Sequence, residues 1–165
     1  MSAPPPRIVV DNTVISTLQQ AGVLARVLGF WPGRWLIPIE VQGEAAARKA
    51  HGASVTTTLS ALSAQRIVEI TAADPRLEGP LFAQLTRTLG QGESADIAIA
   101  AQRQLMAALD DRRARRACDR LSPPVPWLST EGILGYAVAD GHLSRAEAQT
   151  IWQATGILDP RRGVP

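Results

Sequence analysis

Five carboxylates occupy positions where chemistry is more economical than chance: Asp11, Glu44, Asp96 and the adjacent pair Asp110-Asp111. Asp11 ends the β-branched run Ile8-Val9-Val10, the pattern of a buried strand with an acid at its carboxyl end. Open α/β sheets place their ligands there. An ionised carboxylate beside so much apolar surface is costly unless something pairs with it. Asp96 precedes the apolar run Ile97 to Ala101 despite the poor helix propensity of aspartate, and Asp110-Asp111 directly follow an apolar segment. No soft ligands accompany these acids. Cys118 is the single cysteine, and His51 and His142, the two histidines, fall in segments that read as solvated. One cysteine excludes a multi-thiolate zinc site and an internal disulfide, and two histidines in solvated segments argue against a histidine-dependent triad. Acids from separate elements instead suit a hard divalent cation, Mg²⁺ or Mn²⁺, and such ions serve phosphoryl chemistry.

Each acid also has a plainer explanation. Asp11 suits the cap of a following helix, a task Asn12 or Thr13 would share. Glu44 stands four residues before Arg48, the spacing of an ordinary helical ion pair. Glu40 and Glu44, however, are like charges on one face, a mild repulsion that a cation near Glu44 would relieve. The helix dipole accounts for Glu40 and Glu93. Adjacent aspartates at a strand end project to opposite sides, so only one of Asp110 and Asp111 is expected in a site, and a simple turn explains the pair equally well.

The elements that must position these residues alternate between strand and helix signals. A strand is expected over residues 7–11, then one helix through Val14, Leu18 and Val23 to Leu28. Trp35-Leu36-Ile37 reads as a strand, and Pro38 opens a helix reaching about His51. Residues 56–63 are ambiguous. Ile67 to Ile70 is a strand, and residues 80–89 have helical spacing that Gly90 stops. A helix after Gly92 carries Ile97, Ala101 and Leu105, with a strand near residues 105–109. Residues 112–120 form a basic helix, and Ser122-Pro123-Pro124-Val125-Pro126 is a rigid connector. Two final helices, residues 130–138 and 144–154, flank Asp140-Gly141, with Ser144 and Glu147 spaced as a capping box.

The 165 residues suit one domain, with residues 1–6 expected to be flexible and 130–165 a carboxyl-terminal helical part. A net charge of +2 does not announce a nucleic-acid binder. Met1 to Arg7 carries no apolar signal segment, and no stretch approaches the roughly 18 apolar residues of a membrane span. The expected location is cytoplasmic, with no membrane partner.

Four motifs in order resemble the PIN domain, and within it the VapC-like group: Val10 to Ser16, Pro38 to Glu44, Leu89 to Ala100 and Leu109 to Arg115. Residues 129–134 with 141–144 are similar to the carboxyl-terminal pattern of one branch of that group. The resemblance implies a three-layer α/β/α sandwich with a central, mainly parallel sheet. It further implies a metal-dependent endoribonuclease, usually the toxin of a type II toxin and antitoxin pair. Carried over by position, Asp11, Glu44 and Asp96 match the first three acids; Asp111, with Asp110 still open, matches the fourth. Catalysis would fall to Asp11, Glu44, Asp96 and Asp111, and metal binding to Asp11, Asp96 and Asp111 or Asp110, with Mg²⁺ or Mn²⁺ as cofactor. Thr13 matches a supporting polar position, although the order Asn12-Thr13 reverses the commoner one. Ser129 replaces a usual glycine and Glu131 a usual apolar residue. Arg112, Arg113, Arg115, Arg116 and Arg120 would line the approach of an RNA substrate, or form a solvated helix face. Implied partners are RNA, a cognate antitoxin protein and a second copy in a homodimer, for which Val14, Leu18 or Trp152 would supply apolar surface unless they are core.

Two phosphoaspartate folds fail on single residues. A haloacid dehalogenase needs aspartate where this chain has Thr13, and a receiver domain needs a late-strand lysine where the lone lysine is Lys49. The remaining rival is a catalytically weak PIN-like binding module acting through a protein partner, since intact ligands are necessary for catalysis but not sufficient.

Overall fold

Ile8, Val9 and Val10 form β1 (Ile8–Val10), buried on both faces as the middle strand of a parallel sheet must be. In the computed structural model, residues 6–47 and 52–156 are described, the side chains of residues 44–47 and 52–54 excepted. β1 lies between β2 (Trp35–Pro38) and β4 (Met106–Ala108), with β3 (Val68–Thr71) and β5 (Trp127–Leu128) outermost. All pairings are parallel, in the order β3-β2-β1-β4-β5. Helices cover both faces, giving the expected three-layer sandwich.

The period-two alternation of the strands divides the core. Ile8, Val10, Trp35, Ile37 and Ala108 face one layer; Val9, Leu36, Ala107 and Leu109 face the other. The first layer holds α1 (Asn12–Gln20), α2 (Leu24–Leu28), α3 (Ile39–Ala47), α4 (Gly52–Ala64), α8 (Thr130–Ala139) and α9 (Arg145–Ala154). The second holds α5 (Gly79–Leu85), α6 (Gln91–Arg103) and α7 (Arg112–Arg120). The chain leaves β1 toward β2 on one side and returns to β4 on the other. Such a reversal opens a crevice at the carboxyl ends of the two strands.

Several expectations require correction. The single helix drawn through Val14 to Leu28 is two helices. Gly22, at φ +72°, ends α1, and Val23 N–H donates to the Leu18 carbonyl at 3.0 Å, as in a Schellman closure. The ambiguous residues 56–63 belong to α4, and α5 stops at Leu85 rather than Leu89. β5 has no counterpart in the sequence reading, because two residues after a proline-rich connector are too few to show a period. Val14, Leu18 and Trp152 lie in the first-layer core, at 0%, 0% and 8% exposure, so they are not a dimer surface. His51 and the end of the Pro38 helix lie outside the described residues. The capping box at Ser144 and Glu147 forms as expected, with Glu147 N–H donating to Ser144 Oγ at 3.2 Å and Ser144 N–H to Glu147 Oε2 at 2.9 Å.

Candidate active site

Asp11 follows β1 in extended backbone and is fully buried. Its N–H donates to the Ala108 carbonyl at 3.1 Å, carrying the β1 to β4 pairing one residue past the strand. Oδ2 accepts from Thr13 N–H at 2.9 Å and from the Thr13 hydroxyl. Asp11 is therefore the cap of α1, a role worth about 1 kcal/mol, as well as an acid at the crevice. The cap expected from the sequence is thus formed. Thr13 is the residue that supports Asp11. Asn12, also buried, is turned to its own helix, where its Oδ1 accepts from Ser16 Oγ at 3.2 Å.

Asp96 is completely buried on α6, which packs across β1 and against α7. Its charge is felt at Cys118 on α7, whose thiol is pushed up to about 12 by burial first, then by Asp119 and Asp96. Three residues earlier on α6, Glu93 returns to the helix start, accepting Gly90 N–H at 3.1 Å.

Asp110 and Asp111 part company, as alternation requires. Asp110 Oδ1 accepts Thr130 N–H at 2.8 Å and Oδ2 accepts the Thr130 hydroxyl at 2.6 Å, turning this carboxylate toward α8 and the first layer. Asp111 caps α7 in the second layer, its Oδ1 accepting from Arg113 N–H at 2.6 Å and Ala114 N–H at 3.0 Å. Asp11 follows Val9 by two residues in extended backbone, and its carboxylate is held by Thr13 at the start of α1. Asp96 and Asp111 thus belong to the α6 and α7 layer and Asp110 turns to α8, while Asp11 stands between them at the end of β1. Glu44 sits on α3, which packs against α6, but its side chain lies outside the described residues.

Among the described residues, no three Asp, Glu, His or Cys side chains draw together closely enough to hold a metal ion. The donor chemistry nevertheless fits a hard divalent cation: Asp11, Asp96 and Asp111 offer only carboxylate oxygen, and the first two are wholly buried. Thr130, which sequence reasoning did not place near the acids, is the residue the tertiary structure adds. Its signal was its position: Ala108 pairs with Leu128, so Asp110 and Thr130 stand level, two residues past their strands.

The arginines of α7 divide. Arg113 donates to the Thr88 carbonyl, and Arg115 lies over the Trp127 ring, 5.0 Å from its centroid. Arg112 and Arg116, one turn apart, are exposed, as is Arg120 at the far end of the helix. His142 is exposed yet stacked on Phe30, with ring centroids 4.7 Å apart. An open cleft lined by Leu81, Leu105, Gln104, Pro124 and Pro126 lies beside the segments entering β4 and β5, and no acid lines it.

No curated protein matches the chain. Among solved structures it is similar to VapC20 of Mycobacterium tuberculosis, described as a sarcin-ricin loop cleaving toxin, with 17% identity and a TM-score of 0.49 over 67% of this chain and 94% of that one. A family model described as PIN domain matches residues 7–153. With a match of that extent over a five-stranded parallel sheet whose reversal point carries the acids, the chain belongs to the PIN domain family.

Proposed function

We propose that this protein is a metal-dependent endoribonuclease that hydrolyses RNA phosphodiester bonds, and that it is the toxin of a type II toxin and antitoxin pair. The observation carrying the reading is the PIN domain match over residues 7–153, supported by a buried Asp11 at the end of β1, a buried Asp96 on α6 and Asp111 just past β4, where the parallel sheet reverses. Asp11, Asp96 and Asp111 would hold Mg²⁺ or Mn²⁺, with Glu44 completing the set from α3. A bound ion of this kind acidifies a water, neutralises the scissile phosphate and stabilises the leaving oxygen. Thr13 holds one oxygen of the Asp11 carboxylate through two donors, so the acid would be presented to an ion in a set orientation. Arg112 and Arg116 project from the helix that Asp111 caps and would meet the RNA backbone as phosphate contacts.

The proposed partners are RNA, a cognate antitoxin protein and a second copy of the chain. With Val14, Leu18 and Trp152 buried, pairing or antitoxin docking would draw on other apolar surface, such as Ile39 and Leu77, which are 52% and 64% exposed. No helix among the described residues is long and apolar enough to cross a membrane.

The test is cleavage of a mixed RNA pool with Mg²⁺ or Mn²⁺ by the wild type, Asp11→Asn and Asp96→Asn. Wild type should cut, and each variant should lose roughly a hundredfold or more, as removal of several kcal/mol of charge stabilisation requires. Equal cleavage by all three would refute the metal-site reading. Folded protein that cuts in none of the three forms would favour the binding module.

A further inference from the structure

We propose that Thr130 is a positioning residue for the metal centre, acting through Asp110 on Asp111; this rests on the reading of Asp111 as a metal ligand. Thr130 is completely buried at the first turn of α8 and spends both of its donors on one acceptor group, its N–H at 2.8 Å and its hydroxyl at 2.6 Å from the two oxygens of Asp110. Two bonds to one carboxylate fix its rotation as well as its place. One residue earlier, Leu109 N–H donates to the Leu128 carbonyl at 2.8 Å. One residue later, Asp111 Oδ1 caps α7. The three residues from Leu109 to Asp111 are thereby held at each step: by β5, by the start of α8 and by the start of α7.

The consequence is directional. β4 ends at Ala108, so only this short turn decides where Asp111 stands relative to Asp11, whose own N–H is tied to Ala108. Releasing the Thr130 hydroxyl frees Asp110 to rotate and lets Asp111 drift. The β5 and α8 unit, which supplies no acid to the set, thus takes part in metal affinity. Asp110 serves as the strut between them rather than as a ligand.

Mn²⁺ titration calorimetry on the full chain tests this, alongside melting in EDTA and RNA cleavage. Thr130→Val keeps shape and backbone N–H but removes the hydroxyl; it should bind Mn²⁺ roughly tenfold more weakly, within the range for lost supporting partners of metal ligands. Thr130→Ser restores the donor and should bind like wild type, while Asp111→Asn should lose binding. Should Thr130→Val not fold, Thr130→Ala makes the same comparison with Thr130→Ser. Unchanged affinity in Thr130→Val would overturn the proposal while wild-type binding and its loss in Asp111→Asn left the site reading standing. A serine variant as weak as valine would overturn it too, since the hydroxyl would then not be the cause. A wild type that binds no Mn²⁺, or an Asp111→Asn variant that binds normally, would overturn the site reading and this inference together.

Discussion

Arg103→Met should destabilise the protein by about 2–3 kcal/mol, and the structure says where that energy resides. Glu78, 1% exposed at the start of α5, accepts from Arg103 Nε at 2.7 Å and Nη2 at 3.3 Å. The same guanidinium donates to Thr71 Oγ1 at 2.9 Å and to the Ala72 carbonyl at 3.0 Å, tying the loop after β3 to the end of α6. Methionine keeps the stem and removes every donor, leaving Glu78 with the Asp74 N–H. Breaking a buried pair from one side costs about 3–5 kcal/mol. Because the Arg103 side chain is 32% exposed, water offsets part of this, which lowers the figure to about 2–3 kcal/mol. For a chain of this size that is roughly 5–10 °C in melting temperature. Urea unfolding followed by tryptophan fluorescence at pH 7 measures it. Adding Glu78→Gln removes the stranded charge and keeps an acceptor for Asp74, so the double variant should recover part of the loss, with a coupling of about 1–3 kcal/mol. A loss below about 1 kcal/mol for Arg103→Met, or strictly additive single effects, would refute the reasoning. Arg103 also lies two turns along α6 from Asp96, so the pair helps fix the helix that carries a proposed metal ligand.

Acid stability offers a second check. Ser144 N–H, then Arg26, then the Ser144 hydroxyl hold the Glu147 carboxyl at about 2, below its ordinary 4.5. A carboxyl depressed on folding contributes stability fully above pH 4.5 and loses it as pH falls from 4.5 toward 2. Urea midpoints of wild type and Glu147→Gln should therefore converge across that window, and parallel curves would contradict the assignment. Cys118, fully buried and with its thiol pushed up to about 12, should react with a disulfide reagent at pH 8 only after unfolding. Stoichiometric labelling of the native protein within the mixing time would show that the thiol is exposed.

The layering was legible in the order of residues alone. Unbroken apolar runs such as Ile8 to Val10 and Trp35 to Ile37 are buried on both faces, and interleaved helical periods leave a parallel sheet as the way to cover both. The acid ending β1 was equally legible, because strand ends and caps are local patterns. Other features depend on contacts between segments distant in the chain. That Gly22 splits a helix depends on a left-handed turn closing back to Leu18, which apolar spacing does not reveal. β5 exists only because β4 offers it a partner edge, two residues being too short to signal alone. Which layer Asp110 turns to depends on side-chain parity and on a threonine twenty residues away, and no local window contains both. Residue type and spacing mark where carboxylates sit along the chain; strand register and the helix starts that claim their oxygens decide which way each one points.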